Sequence, residues 1–171
     1  RKELFGDHDH NLWKCRWGAT LNHNDIYNSV IHYDDDSDKD YTYELKSNIE
    51  NFEVAKAQLI EFTRNLTQRT GQDFHDWIAS VCDVRLLLRT YAVNVAVGMW
   101  DDYWNNCNNF YIYFNSSDKN NYKLFFIPYD YDNTLGTSSH CGVQSDSGRH
   151  HPLSWGDTGR NPLIGKVLQY D

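Results

Sequence analysis

The amino-acid sequence predicts an α+β domain in which helices come first and a β-hairpin follows. Three observations lead there. Apolar residues recur at helical spacing through the middle of the chain. Two apolar-aromatic runs, Asn109 to Phe114 and Tyr122 to Tyr129, are split by the polar turn Asn115-Ser116-Ser117-Asp118-Lys119-Asn120-Asn121. Strands and helices do not alternate in the order a parallel sheet needs. The 171 residues suit one domain or part of one, and 6 Trp, 12 Tyr and 8 Phe supply bulky core material that a disordered chain lacks.

Taken in order, the first third reads as loop-rich. Asp7-His8-Asp9-His10 beside Gly6 reads as a turn, although these are metal-ligand types. Five aspartates fall between Asp34 and Asp40, but Lys39 stands where a calcium loop needs glycine and no glutamate closes the loop, so this is a solvated acidic loop. Tyr41 to Lys46 alternates as a strand. Val54, Ala57, Leu59, Ile60, Phe62 and Leu66 predict a helix from about Glu53 to Leu66. Gly71 breaks the chain before a second helix carrying Phe74, Trp77, Ile78 and Val81. Asp83 caps a third helix, Val84 to about Gly98, whose apolar residues run nearly all round it and predict burial at the domain centre. A short helix near Pro162 to Leu168 closes the chain.

Composition removes several function classes. Sixteen Lys and Arg stand against 24 Asp and Glu, a net charge of -8 that repels phosphate backbones and argues against nucleic-acid binding. No apolar run approaches the roughly 18 residues of a membrane span. The four cysteines, Cys15, Cys82, Cys107 and Cys141, contain no C-x-x-C pair for zinc, and their spacing fits two disulfides or four thiols equally. The sequons at Asn65 and Asn115 are as many as chance supplies, and no leader pattern follows Arg1, so neither locates the protein.

Chemistry concentrates at the two ends of the hairpin sequence. Trp100-Asp101-Asp102-Tyr103 precedes its first strand, and Asp130-Tyr131-Asp132-Asn133-Thr134 follows its second. Antiparallel pairing brings those ends together. Asp101, Asp102, Asp130 and Asp132 are therefore expected to converge, with Asn105, Asn106, Asn108 and Asn109 beside them. Like charges so gathered need a cation, and carboxylate with amide oxygen suits magnesium or manganese. Asp101 followed by Asn106, a hairpin and then Asp130 is the spacing of kinase-type phosphoryl transfer. In that chemistry Asp101 accepts the proton of the attacking hydroxyl, and Asp130 with Asn106 or Asn109 holds the metal on the nucleotide phosphates. An apolar strand running into Asp130-x-Asp132-x-Thr134 also matches a haloacid dehalogenase-type phosphatase, but too few residues follow for that enzyme's parallel sheet.

The order of Trp17-Gly18-Ala19-Thr20-Leu21-Asn22, Tyr43-Glu44-Leu45-Lys46, Tyr91-Ala92-Val93-Asn94-Val95, Trp100-Asp101-Asp102-Tyr103-Trp104, Asn108-Asn109-Phe110-Tyr111-Ile112-Tyr113, Ile127-Pro128-Tyr129-Asp130-Tyr131-Asp132-Asn133-Thr134-Leu135-Gly136 and Asn161-Pro162-Leu163-Ile164 resembles the CotH family, the spore-coat protein H type of atypical secreted protein kinase. The resemblance spans nearly the whole chain. It implies a kinase-like fold, ATP with Mg2+ or Mn2+, and transfer to serine or threonine of a protein substrate. By motif, Asp101 matches the catalytic aspartate, and Asp130 the metal-binding one with Asp132 as a further ligand. Asn109 or Asn106 matches the metal-binding asparagine, and Asp102 is a weaker cofactor-binding candidate. No Gly-rich loop or phosphate-pairing lysine motif occurs, so the chain corresponds to a partial domain over residues 1–171, the C-terminal lobe, with feeble or no transfer expected from it alone. The resemblance further implies a secreted or cell-surface protein. The alternative reading is an adhesin, or a host-, cell-wall- or cellulosome-associated binding module that keeps the fold without the chemistry.

Overall fold

The computed structural model describes residues 10–33, 41–136, 151, 155–156 and 160–169. Asp7, His8, Asp9, the Asp34–Asp40 loop, His140, Cys141 and His150 lie outside them. The sheet is mixed and five-stranded, in the order β2-β3-β1-β4-β5. Its strands are β1 Asn11–Cys15, β2 Ile31–His32, β3 Tyr43–Leu45, β4 Phe110–Phe114 and β5 Leu124–Pro128. Neighbours pair antiparallel except β2 with β3. The helices are α1 His23–Ile26, α2 Phe52–Gln68, α3 Gly71–Val81, α4 Val84–Val97, α5 Tyr103–Asn106 and α6 Pro162–Val167. None of them is long and apolar enough to cross a membrane.

One sheet face carries Trp13, Cys15, Tyr43, Leu45, Phe110 and Ile112 into the core with Leu59, Phe62 and Leu66 of α2. The hairpin is fastened by aromatic packing, with Phe110 stacked on Phe126 at 5.0 Å and Phe62 edge-on to Phe114 at 5.6 Å. The predicted hairpin, α2, α3 and α6 thus form close to their expected bounds. Asp83 caps α4, its carboxylate accepting the Leu86 N–H at 2.9 Å.

Two expectations are corrected, and one alternative left open by the cysteine spacing is removed. The loop-rich first third contains β1, the central strand of the sheet, and its inward residues are Asn11, Trp13 and Cys15. Burying Asn11 is feasible because Gln58 accepts from its amide at 2.7 Å and Asn48 donates to its oxygen at 2.8 Å. Helix α4 is not buried all round. Only Leu87 and Asn94 are buried, while Leu86 is 47% and Val93 54% exposed. Among the described residues only one of its faces meets the core, so an apolar circumference overstated its burial. Finally, Cys15, Cys82 and Cys107 are buried free thiols, which excludes two disulfides from four cysteines.

Candidate active site

Helix α4 ends at Gly98, whose left-handed φ of 64° turns the chain, with the Met99 N–H returning to the Asn94 carbonyl at 2.9 Å. The turn delivers Asp101 and Asp102 to the start of α5, where they take opposite roles. Asp101 is half-buried, and its carboxylate is gripped by side-chain amides. Asn106 Nδ2 donates to Oδ1 at 2.6 Å, Asn108 Nδ2 to the same oxygen at 3.4 Å, and Asn109 Nδ2 to Oδ2 at 3.0 Å. Asn109 also donates to the Asp101 carbonyl at 3.0 Å. The carboxylate therefore has a fixed orientation, with acceptor capacity left on Oδ2.

Asp102 turns inward. It is 1% exposed and caps α5, accepting from Asn105 N at 3.1 Å, Asn105 Nδ2 at 3.1 Å and Asn94 Nδ2 at 2.9 Å. Burial pushes its pKa up to about 7, and the Asn94 and Asn105 amides pull back against that. The expected convergence of four carboxylates is thus corrected, since Asp102 faces the core.

The second acidic segment is tied to the first through Asn109. Its backbone sits at a left-handed φ of 55°, which asparagine tolerates, and its carbonyl accepts the Tyr129 N–H at 3.1 Å. Asp130 follows immediately, exposed and also left-handed at φ 63°. The turn Tyr131–Asn133 then carries the exposed Asp132. The Tyr131 hydroxyl donates to Asn94 Oδ1 at 2.6 Å, and the Leu135 N–H to the Val97 carbonyl at 2.7 Å, so this segment rests on the C-terminal half of α4.

Sequence reasoning passed over the basic side of this site. The strand register sets Cys15, Phe110 and Pro128 in one row, which makes Arg16, Asn109 and Tyr129 the next. Arg16 bonds the fully buried Glu44 at 2.9 Å, and Lys46 pairs with the same carboxylate. The Tyr129 phenol, pushed up to about 12 mainly by burial and then by Tyr111, also feels Arg16 and Asp130 in opposite directions. Lys14 lies over the Tyr129 ring at 5.4 Å. Alternation around Tyr43-Glu44-Leu45 hinted at a strand, but nothing local shows that Glu44 is buried against two cations.

Among the described residues no three His, Cys, Asp or Glu side chains form a group that could hold a metal by themselves. Magnesium at a nucleotide takes one or two protein carboxylates, keeps waters and completes its shell with substrate phosphates. Asp130 and Asp132 are exposed on the segment that the Asn109 carbonyl anchors through Tyr129, and their carboxylates are hard oxygen donors of the kind magnesium takes. The strand leading into Asp130 is an antiparallel edge strand, unlike the parallel strand of a dehalogenase-type phosphatase.

The fold and site are those of an α+β domain with paired acidic loops at one sheet end. The family profile described as CotH kinase protein matches residues 1–171, and the chain belongs to that family. A search of curated proteins finds no significant match.

Proposed function

We propose that the chain carries the proton-accepting and metal-binding half of a CotH-type protein kinase, which moves the γ-phosphate of ATP to a serine or threonine hydroxyl of a protein. The observation that carries this reading is the link Asp101–Asn109–Tyr129, which joins both acidic segments at one end of the hairpin. Asp101, oriented by its amides, takes the proton of the substrate hydroxyl as that oxygen attacks the γ-phosphorus and the bond to the ADP oxygen breaks. Asp130, Asp132 and Asn109 would hold magnesium or manganese, which would supply the charge neutralisation that phosphoryl transfer needs. Arg16, paired with Glu44 and close enough to act on the Tyr129 phenol, supplies a cation beside the strand end that leads into Asp130. Asp102 keeps the loop in shape from beneath and does not touch the cofactor.

A secreted or cell-surface location, with its protein substrate outside the cytoplasm, belongs to the same reading and rests on the family; fractionation of the native protein checks it. The test of the chemistry is transfer from radiolabelled ATP with magnesium by the natural protein. Asp101→Ala is expected to lower the rate about 10²- to 10⁴-fold, the usual contribution of a positioned base. Equal rates in the two proteins would remove Asp101 from the mechanism.

A further inference from the structure

Asn94 is an unusual residue to find where it lies. It is fully buried in the last turn of α4, among the valines and alanines of Tyr91 to Val97 in sequence. A buried amide left without partners costs roughly 1–3 kcal/mol, so an asparagine persists there only when its donors and acceptor are used. Both ends of this one are used, by different segments. Its Nδ2 donates to Asp102 Oδ2 at 2.9 Å, and its Oδ1 accepts from the Tyr131 hydroxyl at 2.6 Å. Asp102 neighbours Asp101, and Tyr131 stands between Asp130 and Asp132 in sequence. One side chain therefore bridges the segment carrying the proposed base and the turn carrying the proposed metal ligands.

We propose that Asn94 is a positioning residue, a latch whose amide fixes the Asp130–Asp132 turn relative to the Asp101 loop. Its relevance to catalysis rests on the kinase reading above, but the latch itself is a structural statement. The chemistry selects asparagine. A primary amide of this length offers a donor to a carboxylate and an acceptor to a phenol at once. Aspartate would set a second negative charge against Asp102, leucine would satisfy neither partner, and glutamine would overreach by one methylene. A second tie, from the Leu135 N–H to the Val97 carbonyl, lies one helical turn further along α4. The turn is thus held at two points, one of them a side chain. The effect on the reaction is through Asp130, since Asn94 itself is sealed from substrate.

The experiment uses Tyr131→Phe, which deletes one hydroxyl from a ring that is 38% exposed and keeps the ring itself. Tyr27→Phe, at a remote and 72% exposed tyrosine, is the control. Hydrogen exchange at the Leu135 amide is expected to quicken at least about tenfold in Tyr131→Phe, with α2 amides unchanged. The dissociation constant for Mg2+-ATP is expected to rise by about the same factor, as is typical for loss of one such hydrogen bond. Unchanged exchange at Leu135 would overturn the latch. Quickened exchange with equal Mg2+-ATP affinity would overturn its positioning role. Quickened exchange in a protein that binds no Mg2+-ATP even as wild type would uphold the latch and sink the kinase reading instead.

Discussion

Two adjacent aspartates, identical in chemistry, are separated by where the backbone points them. Asp101 is held at the surface by asparagine amides, while Asp102 is sealed beneath it as a helix cap. The consequence of that burial can be read in stability. The Asp102 pKa rises from the ordinary 3.8 to about 7 on folding, chiefly through desolvation. The folded state therefore binds the proton more tightly than the unfolded one. The contribution of Asp102 to stability is fully present below pH 4, is lost as pH rises towards 7 and levels off above, and amounts to on the order of 4 kcal/mol at most. Asp102→Asn still caps α5 but carries no titrating charge. Its melting temperature should vary less between pH 5 and 8 than the wild type's, and parallel curves would show that Asp102 does not govern this slope. Asn109 joins both acidic segments through its side chain and its carbonyl. Asn109→Ala should therefore weaken Mg2+-ATP binding more than Asn106→Ala, whose amide donates to Asp101 and does not link the two segments. Calorimetric titration of both variants decides between these asparagines, which sequence spacing left open.

At the scale of elements, most of what periodicity can express was legible. Helix α2, the hairpin and the Asp83 cap follow from apolar spacing and from the hydrogen-bonding habits of aspartate. Strand β1 was not legible, because one of its inward positions is Asn11, satisfied by Gln58 and Asn48 from far along the chain. The burial of α4 was overestimated for the converse reason: an apolar residue does not announce which side of the helix finds a partner. A long-range contact also finishes α2. The Lys166 ammonium donates to the carbonyls of Leu66, Thr67 and Arg69 at 2.7, 2.8 and 2.6 Å, groups that a helix end leaves without internal partners. It lies 5.0 Å from the Phe74 ring centroid as well, and desolvation lowers its pKa. Lys166→Met keeps the stem and removes the donors. It should destabilise by about 1.5–3 kcal/mol, as charge-assisted hydrogen bonds do, and thermal melting would detect this readily. No change in melting temperature would mean that water caps α2 equally well.

Across the whole molecule, the two acidic segments lie far apart in sequence and share one sheet end because an antiparallel hairpin separates them. That part of the site was visible in the sequence, since it needs only topology. Asn94 was not, because its partners Asp102 and Tyr131 come from other segments, and neither were Glu44 and the row of Arg16, Asn109 and Tyr129, which depend on a strand register that no local pattern encodes. A chain of net charge -8 has no general attraction for a polyphosphate, so nucleotide affinity should depend on the divalent ion. The direct measurement is thermal stabilisation of the natural protein by ATP with magnesium, repeated with chelator and with Asp130→Asn. The wild type should gain about 2.7 kcal/mol of stability at a hundredfold excess of nucleotide over Kd, and chelation or the substitution should abolish the gain. Stabilisation of the same size in Asp130→Asn, or in chelator, would contradict a metal–nucleotide site built on that aspartate.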